Sequence, residues 1–131
     1  MNLVVDTSVI VAVLVSEPER MKIIKQTESF DLIAPGSVHW EIGNALAAML
    51  KRKRVTLDEV KAALLAYEKI PIRFRDIDME LAMSIANEHD LYAYDAYIIA
   101  CAHETRCALI SLDKNLLSAA RKARIPMVEV L

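Results

Sequence analysis

Asp6, Glu41, Asp95 and Asp113 each stand where a β-like run hands over to a helix-like run, or in the first turns of the helix that follows. In a parallel α/β fold the C-terminal ends of the strands share one edge of the sheet, so acids at such junctions converge on a single crevice. Carboxylates crowded together repel one another unless a cation lies between them. An all-oxygen donor set that leaves room for water and a phosphate suits Mg²⁺ or Mn²⁺, and such sets commonly carry out phosphodiester hydrolysis. Taken singly, Asp6, Asp95 and Asp113 also fit the residue type that caps a helix N-terminus. Taken together with Glu41, which flanks an apolar helix stripe where burying charge is costly, they favour a site.

The elements that must position these acids are legible in the patterning. Leu3 to Val5 reads as a β-branched strand ending at Asp6, and Thr7-Ser8 opens a helix over Val9 to Ser16. Glu17-Pro18-Glu19 restarts a helix that runs to about Gln26, because proline and acids are both tolerated in a first turn. A second strand over Asp31 to Ala34 stops at Pro35-Gly36. Ser37 then caps a helix that carries Val38, Ile42, Ala45, Leu46 and Met49 on one face, with Glu41 at the flank of that stripe. Lys51 to Arg54 close it, and Thr56-Leu57-Asp58-Glu59 is a capping box for the next helix, through about Lys69.

Pro71 to Phe74 is a weak third strand, and Asp78 starts a helix with Leu81, Ala82, Ile85 and Ala86 at helical spacing. Tyr92 to Asp95 leads into another, with Ile98, Ile99 and Ala102 inward. Ala108 to Leu112 is the fourth strand, bounded by Asp113. Helix follows from Lys114 to Ala123, and after Pro126 a short last strand covers Met127 to Val130. Strands alternating with helices imply a three-layer α/β fold, its mostly parallel sheet of four or five short strands covered by helices on both faces.

At 131 residues and 55% hydrophobic, the chain fills one core, and a single domain over residues 1–131 is expected. Two glycines and four prolines argue against disorder or a turn-rich β-sandwich. A net charge of −2 neither supports nor excludes a nucleic-acid partner. Cys101 and Cys107 are the only cysteines, and with no signal peptide ahead of them they point to a reduced, cytoplasmic protein. No apolar run approaches a membrane span.

Other chemistry-bearing residues have simpler readings. Lys51 to Arg54, Arg73 and Arg75 are candidates for phosphate contact, although basic residues at a helix C-terminus also complement its dipole. His39, His89 and His103 lack zinc-ligand spacing with the cysteines. Cys101 reads as packing, and Trp40, Tyr92, Tyr94 and Tyr97 read as core or interface ahead of base stacking.

From end to end the chain resembles the PIN-domain nuclease family, specifically the VapC-like toxins of prokaryotic toxin–antitoxin modules. The resemblance rests on Val4-Val5-Asp6-Thr7-Ser8, Glu41-Ile42-Gly43-Asn44-Ala45-Leu46, Tyr94-Asp95-Ala96-Tyr97 and Leu109-Ile110-Ser111-Leu112-Asp113, in that order and spacing. It implies that Asp6, Glu41, Asp95 and Asp113 form a catalytic, metal-binding acidic tetrad, with Ser8 beside it as a polar support. Ser8 and Asn44 are candidates to position a water for that chemistry, although a serine near a strand end is as often simply a cap. It further implies an Mg²⁺-dependent endoribonuclease, with Mn²⁺ as a substitute, an RNA substrate, a cognate antitoxin and a homodimer. Some relatives place one more acid two residues after the fourth, where this chain has Asn115.

An alternative keeps the fold but makes the chain an inactive PIN-like scaffold that binds RNA or protein, a reading the intact tetrad opposes. A haloacid-dehalogenase-type phosphatase requires an Asp-x-Asp pair, and Asp6-Thr7-Ser8 lacks the second acid. A nucleotide-binding ATPase requires a glycine-rich phosphate loop, which is missing here.

Overall fold

The computed structural model describes residues 1–130. Along the chain run β1 (Asn2–Val5), α1 (Thr7–Leu14), α2 (Arg20–Thr27), β2 (Asp31–Pro35), α3 (Ser37–Lys51), α4 (Leu57–Glu68), β3 (Ile72–Arg75), α5 (Met79–His89), α6 (Ala93–Thr105), β4 (Ala108–Ile110) and α7 (Lys114–Lys122). The four strands form one all-parallel sheet in the order β3-β2-β1-β4. Its two central strands bury near-continuous apolar runs, with Leu3, Val4, Val5, Ile33 and Ala34 all at or below 1% exposure. That is the pattern of strands covered on both faces. The edge strand β3 is mostly exposed beyond Ile72.

Strand order decides where the crevice opens. The chain steps outward from β1 to β2 to β3, then returns to place β4 on the other side of β1. Right-handed crossovers that travel in opposite directions lie on opposite faces of a sheet. The helices between β1 and β3 therefore form one layer, in which α1 packs on α2, α3 and α4, while α5 and α6 form the other, with α6 against β1 and β2. The reversal between β1 and β4 is a topological switch point, and Asp6 and Asp113 follow those two strands.

Several expected boundaries move. Pro18 lies in a turn, so the second helix begins only at Arg20. Gly36, not Ser37, occupies the N-cap position of α3, and Ser37 is its first residue. β4 ends at Ile110 instead of Leu112, because the amides of Leu112 and Asp113 bond to serine hydroxyls and leave the ladder. The expected fifth strand shrinks to one parallel bridge, Leu109 to Met127. The Thr56–Glu59 capping box forms in full, and Asp78 caps α5 through Glu80 N.

Helices close without glycine. Ser16, Lys53, Asp90, Arg106 and Arg124 all take positive φ, following α1, α3, α5, α6 and α7 respectively, in a chain whose two glycines lie elsewhere. No helix among the described residues is long and apolar enough to cross a membrane.

Candidate active site

Asp6 leaves β1 with its backbone still in the sheet, its N–H donating to Ile110 O at 3.1 Å. It holds the N-cap position of α1, yet its carboxylate caps nothing. Oδ2 instead accepts from Ser8 Oγ at 2.7 Å and from Ser111 Oγ at 2.8 Å, and the residue is only 7% exposed. A cap is thus the wrong account of Asp6. Asp113 is a true cap: Oδ1 accepts from Asn115 N at 2.9 Å and Leu116 N at 3.3 Å at the start of α7. Asp95 stands inside the first turn of α6, whose N-cap is Tyr92.

Glu41 enters from α3 and is half-buried. Its Oε2, together with Thr7 Oγ1 and Ser37 Oγ, is sealed from solvent with no hydrogen-bond partner. Burial is the main force raising the Glu41 pKa, and the charges of Asp6 and Asp95 raise it further. The Ser37 and Thr7 hydroxyls face the carboxyl and pull it downward, but neither reaches full hydrogen-bond geometry. Burial likewise lifts the Asp95 carboxyl above its ordinary range, followed by repulsion from Asp113 and then from Asp6.

These mutual shifts place the four acids in one electrostatic neighbourhood at the switch point. Among the described residues, no three acidic, histidine or cysteine side chains close into a ready-made metal cage. The donor set nevertheless fits a hard divalent cation. Every donor is oxygen, the carboxylates repel one another, and Glu41 Oε2 is a buried acceptor that no donor reaches in good geometry, a state a cation would relieve.

The remaining candidates separate. Asn44 is exposed on α3, and its side chain makes no hydrogen bond among the described residues. Lys51 ends α3 ten residues beyond Glu41, roughly 15 Å along the axis at 1.5 Å per residue. Arg54 nearby is paired with Glu17 at 3.3 Å. Arg75 closes β3, at the same sheet edge as the acids, whereas Arg73 bonds Asn2 Oδ1. Trp40, Tyr92 and Tyr94 are exposed, not core. Cys101 is buried, and that burial pushes its thiol up to about 12, as packing requires. A cavity of about 580 Å³ between α1, α2 and the starts of β2 and β3 is walled by Val9, Ile23, Phe30 and Ile72, and none of the four acids lines it.

Ser111 is the residue that sequence reading passed over. It is 3% exposed, joins Asp6 to the β4 end, and accepts from Asp113 N at 3.0 Å. Its one sequence signal is a hydroxyl in an apolar strand, two residues before an acid.

Comparison with known proteins bears directly on this arrangement. A family model described as the PIN domain matches residues 3–122, a span that runs from β1 to the end of α7 and includes all four acids. The chain belongs to the PIN domain family. Among solved structures, this PIN domain is similar to PAE2754 from Pyrobaculum aerophilum, with a TM-score of 0.67 and 22% identity over 91% of this chain and 87% of that one. VapBC2 from Rickettsia felis, bound to a DNA fragment from its promoter, gives a TM-score of 0.67 at 10% identity, covering 98% of each chain. VapC20 from Mycobacterium tuberculosis, described as a sarcin–ricin loop cleaving toxin, gives 0.62 at 16% identity over 89% of this chain and 94% of that one. At these identities the likeness shows the PIN fold. Compared by sequence with curated proteins, the chain finds no match.

Proposed function

We propose that this PIN domain is a metal-dependent endoribonuclease and the toxin of a toxin–antitoxin module. The observation that carries the reading is the mutually repelling group of buried Asp6, half-buried Glu41 and Asp95 and exposed Asp113 at the sheet's switch point, with a Glu41 oxygen left unpartnered. Membership of the PIN family supports a nuclease, and similarity to a toxin described as cleaving the sarcin–ricin loop supports RNA as the substrate. The neighbours solved as toxin–antitoxin complexes support a cognate antitoxin as partner. A homodimer as the working form is part of the same proposal and rests on the resemblance to VapC-like toxins.

Asp6, Asp95 and Asp113 would hold Mg²⁺ or Mn²⁺, with Glu41 at the side of the same group. When bound, such a cation supplies charge neutralisation and a water of lowered pKa for in-line attack on phosphorus. The chain's own part is positional. Ser8 and Ser111 hold Asp6, the α7 amides hold Asp113, and α3 carries Glu41 into the crevice as the group able to take the attacking water's proton. Arg75, a basic residue at the acid edge of the sheet, lies where it would meet the RNA backbone.

The test is cleavage of structured and unstructured RNAs by purified protein freed of any antitoxin. Activity should require Mg²⁺ or Mn²⁺, vanish in excess chelator and be lost in Asp6→Asn. Equal cleavage by that variant, or in chelator, would sink the proposal.

A further inference from the structure

Two serines from opposite ends of the chain meet on one oxygen of Asp6. Ser8 Oγ lies 2.7 Å from Asp6 Oδ2 and Ser111 Oγ lies 2.8 Å from the same atom, while the two hydroxyl oxygens stand 3.4 Å apart. Each hydroxyl has one proton to give and lone pairs to receive. Each takes one backbone amide, Ser8 Oγ accepting from Leu112 N at 3.0 Å and Ser111 Oγ from Asp113 N at 3.0 Å, and the Asp6 carboxylate oxygen is the acceptor in both short contacts. Both protons are therefore directed at Asp6. The longer contact between the serines is then a consequence of their shared target and not a bond that competes for a proton.

This arrangement divides the two oxygens of Asp6 between different tasks. Oδ2 accepts two short hydrogen bonds and its lone pairs are filled. Oδ1 takes none among the described residues and is not sealed from solvent. Asp113 is divided in the same way, with Oδ1 bound to the α7 amides and Oδ2 left free of them. The serines also tie the β1–α1 junction to the β4–α7 junction, since each donates to the first and accepts from the second. We infer that Ser111, together with Ser8, is a positioning residue: the pair locks Asp6 so that a single oxygen, Oδ1, faces the cation site, and holds the Asp113 backbone in register with it.

The inference rests on the metal-site reading above and goes beyond it by assigning Ser111 a role. A hydroxyl that merely filled space or satisfied the strand end would contribute to folding stability and leave cation affinity alone. A positioning hydroxyl would do otherwise. Removing it frees the Asp6 carboxylate to rotate and to offer either oxygen, which weakens binding without removing a ligand.

Mn²⁺ binding to the whole protein, followed by electron paramagnetic resonance or calorimetry at fixed pH, separates these outcomes when read beside melting curves in chelator. Ser111→Ala is expected to weaken Mn²⁺ binding by about tenfold or more, the lower end of what outer-shell partners contribute. Ser111→Thr, which keeps the hydroxyl, is expected to recover most of that loss. Thr105→Ala is the control, because it removes a part-buried hydroxyl bond to Cys101 O at the C-terminal end of α6 and should leave Mn²⁺ affinity unchanged. Should Ser111→Ala fail to fold, Ser8→Ala tests the same oxygen from the other side, with the same weakening expected. A lowered melting temperature with wild-type Mn²⁺ affinity in the serine variants overturns this inference alone, provided Asp6→Asn still abolishes binding. Absence of Mn²⁺ binding by the wild type overturns the metal site and this inference with it.

Discussion

Asp113 commits one carboxylate oxygen to the amides of Asn115 and Leu116 and leaves the other free, so helix cap and cation ligand are compatible roles for one aspartate. Asp113→Ala should cost about 1 kcal/mol of stability through the lost cap, and Asp113→Asn should keep nearly all of it. Added Mg²⁺ should raise the melting temperature of the wild type by mass action, and Asp6→Asn, Asp95→Asn and Asp113→Asn should each lose much of that increment. Identical metal-induced shifts in all four proteins would return Asp95 and Asp113 to purely structural roles. Glu41 and Asp95 give a separate prediction in pH. Both pKa values are raised in the folded protein, chiefly by burial, so the folded state binds protons more tightly than the unfolded one. Their contribution to stability therefore falls as pH rises from the ordinary carboxylate range through the raised folded values, and stays at its least favourable above them. In chelator, Glu41→Gln should melt higher than wild type at neutral pH, and the gap should close as the pH is lowered into the ordinary carboxylate range. A gap that is constant with pH, or of opposite sign, contradicts the raised pKa.

At the scale of elements, α3 and the β1–β4 pair do different work. α3 buries Val38, Ile42, Leu46 and Met49, and this stripe fixes the rotation that turns Glu41 toward the crevice. The β1–β4 register, with Val5 opposite Ile110, brings Asp6 to Ser8 alongside Ser111 and Leu112. The Thr56–Glu59 box, by contrast, serves only its own helix. Thr56→Ala is expected to cost about 1 kcal/mol in a denaturant melt. The metal-induced shift should remain that of the wild type, because α4 supplies none of the four acids. A changed metal shift would show that the α3–α4 hairpin is coupled to the site.

At the scale of the molecule, exposed apolar side chains are numerous and spread over several elements, among them Leu57, Leu64 and Leu65 on α4. Trp40 on α3, Phe74 on β3 and Met79 and Met83 on α5 are all more than 40% exposed, and His39 stacks on Tyr67 at 5.7 Å and meets Phe74 edge-to-face at 6.0 Å. Apolar surface of this kind favours self-association, in line with the homodimer proposed above. Sedimentation equilibrium across a wide concentration range should show a dimer at micromolar protein. A strictly monomeric species would remove that part of the proposal and leave the nuclease reading intact.

Local pattern carried much of this structure. Apolar runs of strand length, the Thr56–Glu59 box, the helical spacing of Val38, Ile42, Leu46 and Met49, and acids at the junctions can all be read within a few residues of one another, because periodicity and capping are short-range effects. The parallel sheet and the position of the four acids at its C-terminal edge follow from that alternation. Other features depend on partners far away in the chain. Ser111 bonds Asp6 across 105 residues, and no local signal separates such a serine from one that ends a strand. The early end of β4, the loss of the fifth strand to a single bridge, and the division of labour between the oxygens of Asp6 were all decided by the pairing of β1 with β4. Sequence sets which groups are available at each junction, but which atom of a carboxylate remains free is settled only when the folded backbone delivers its competing donors.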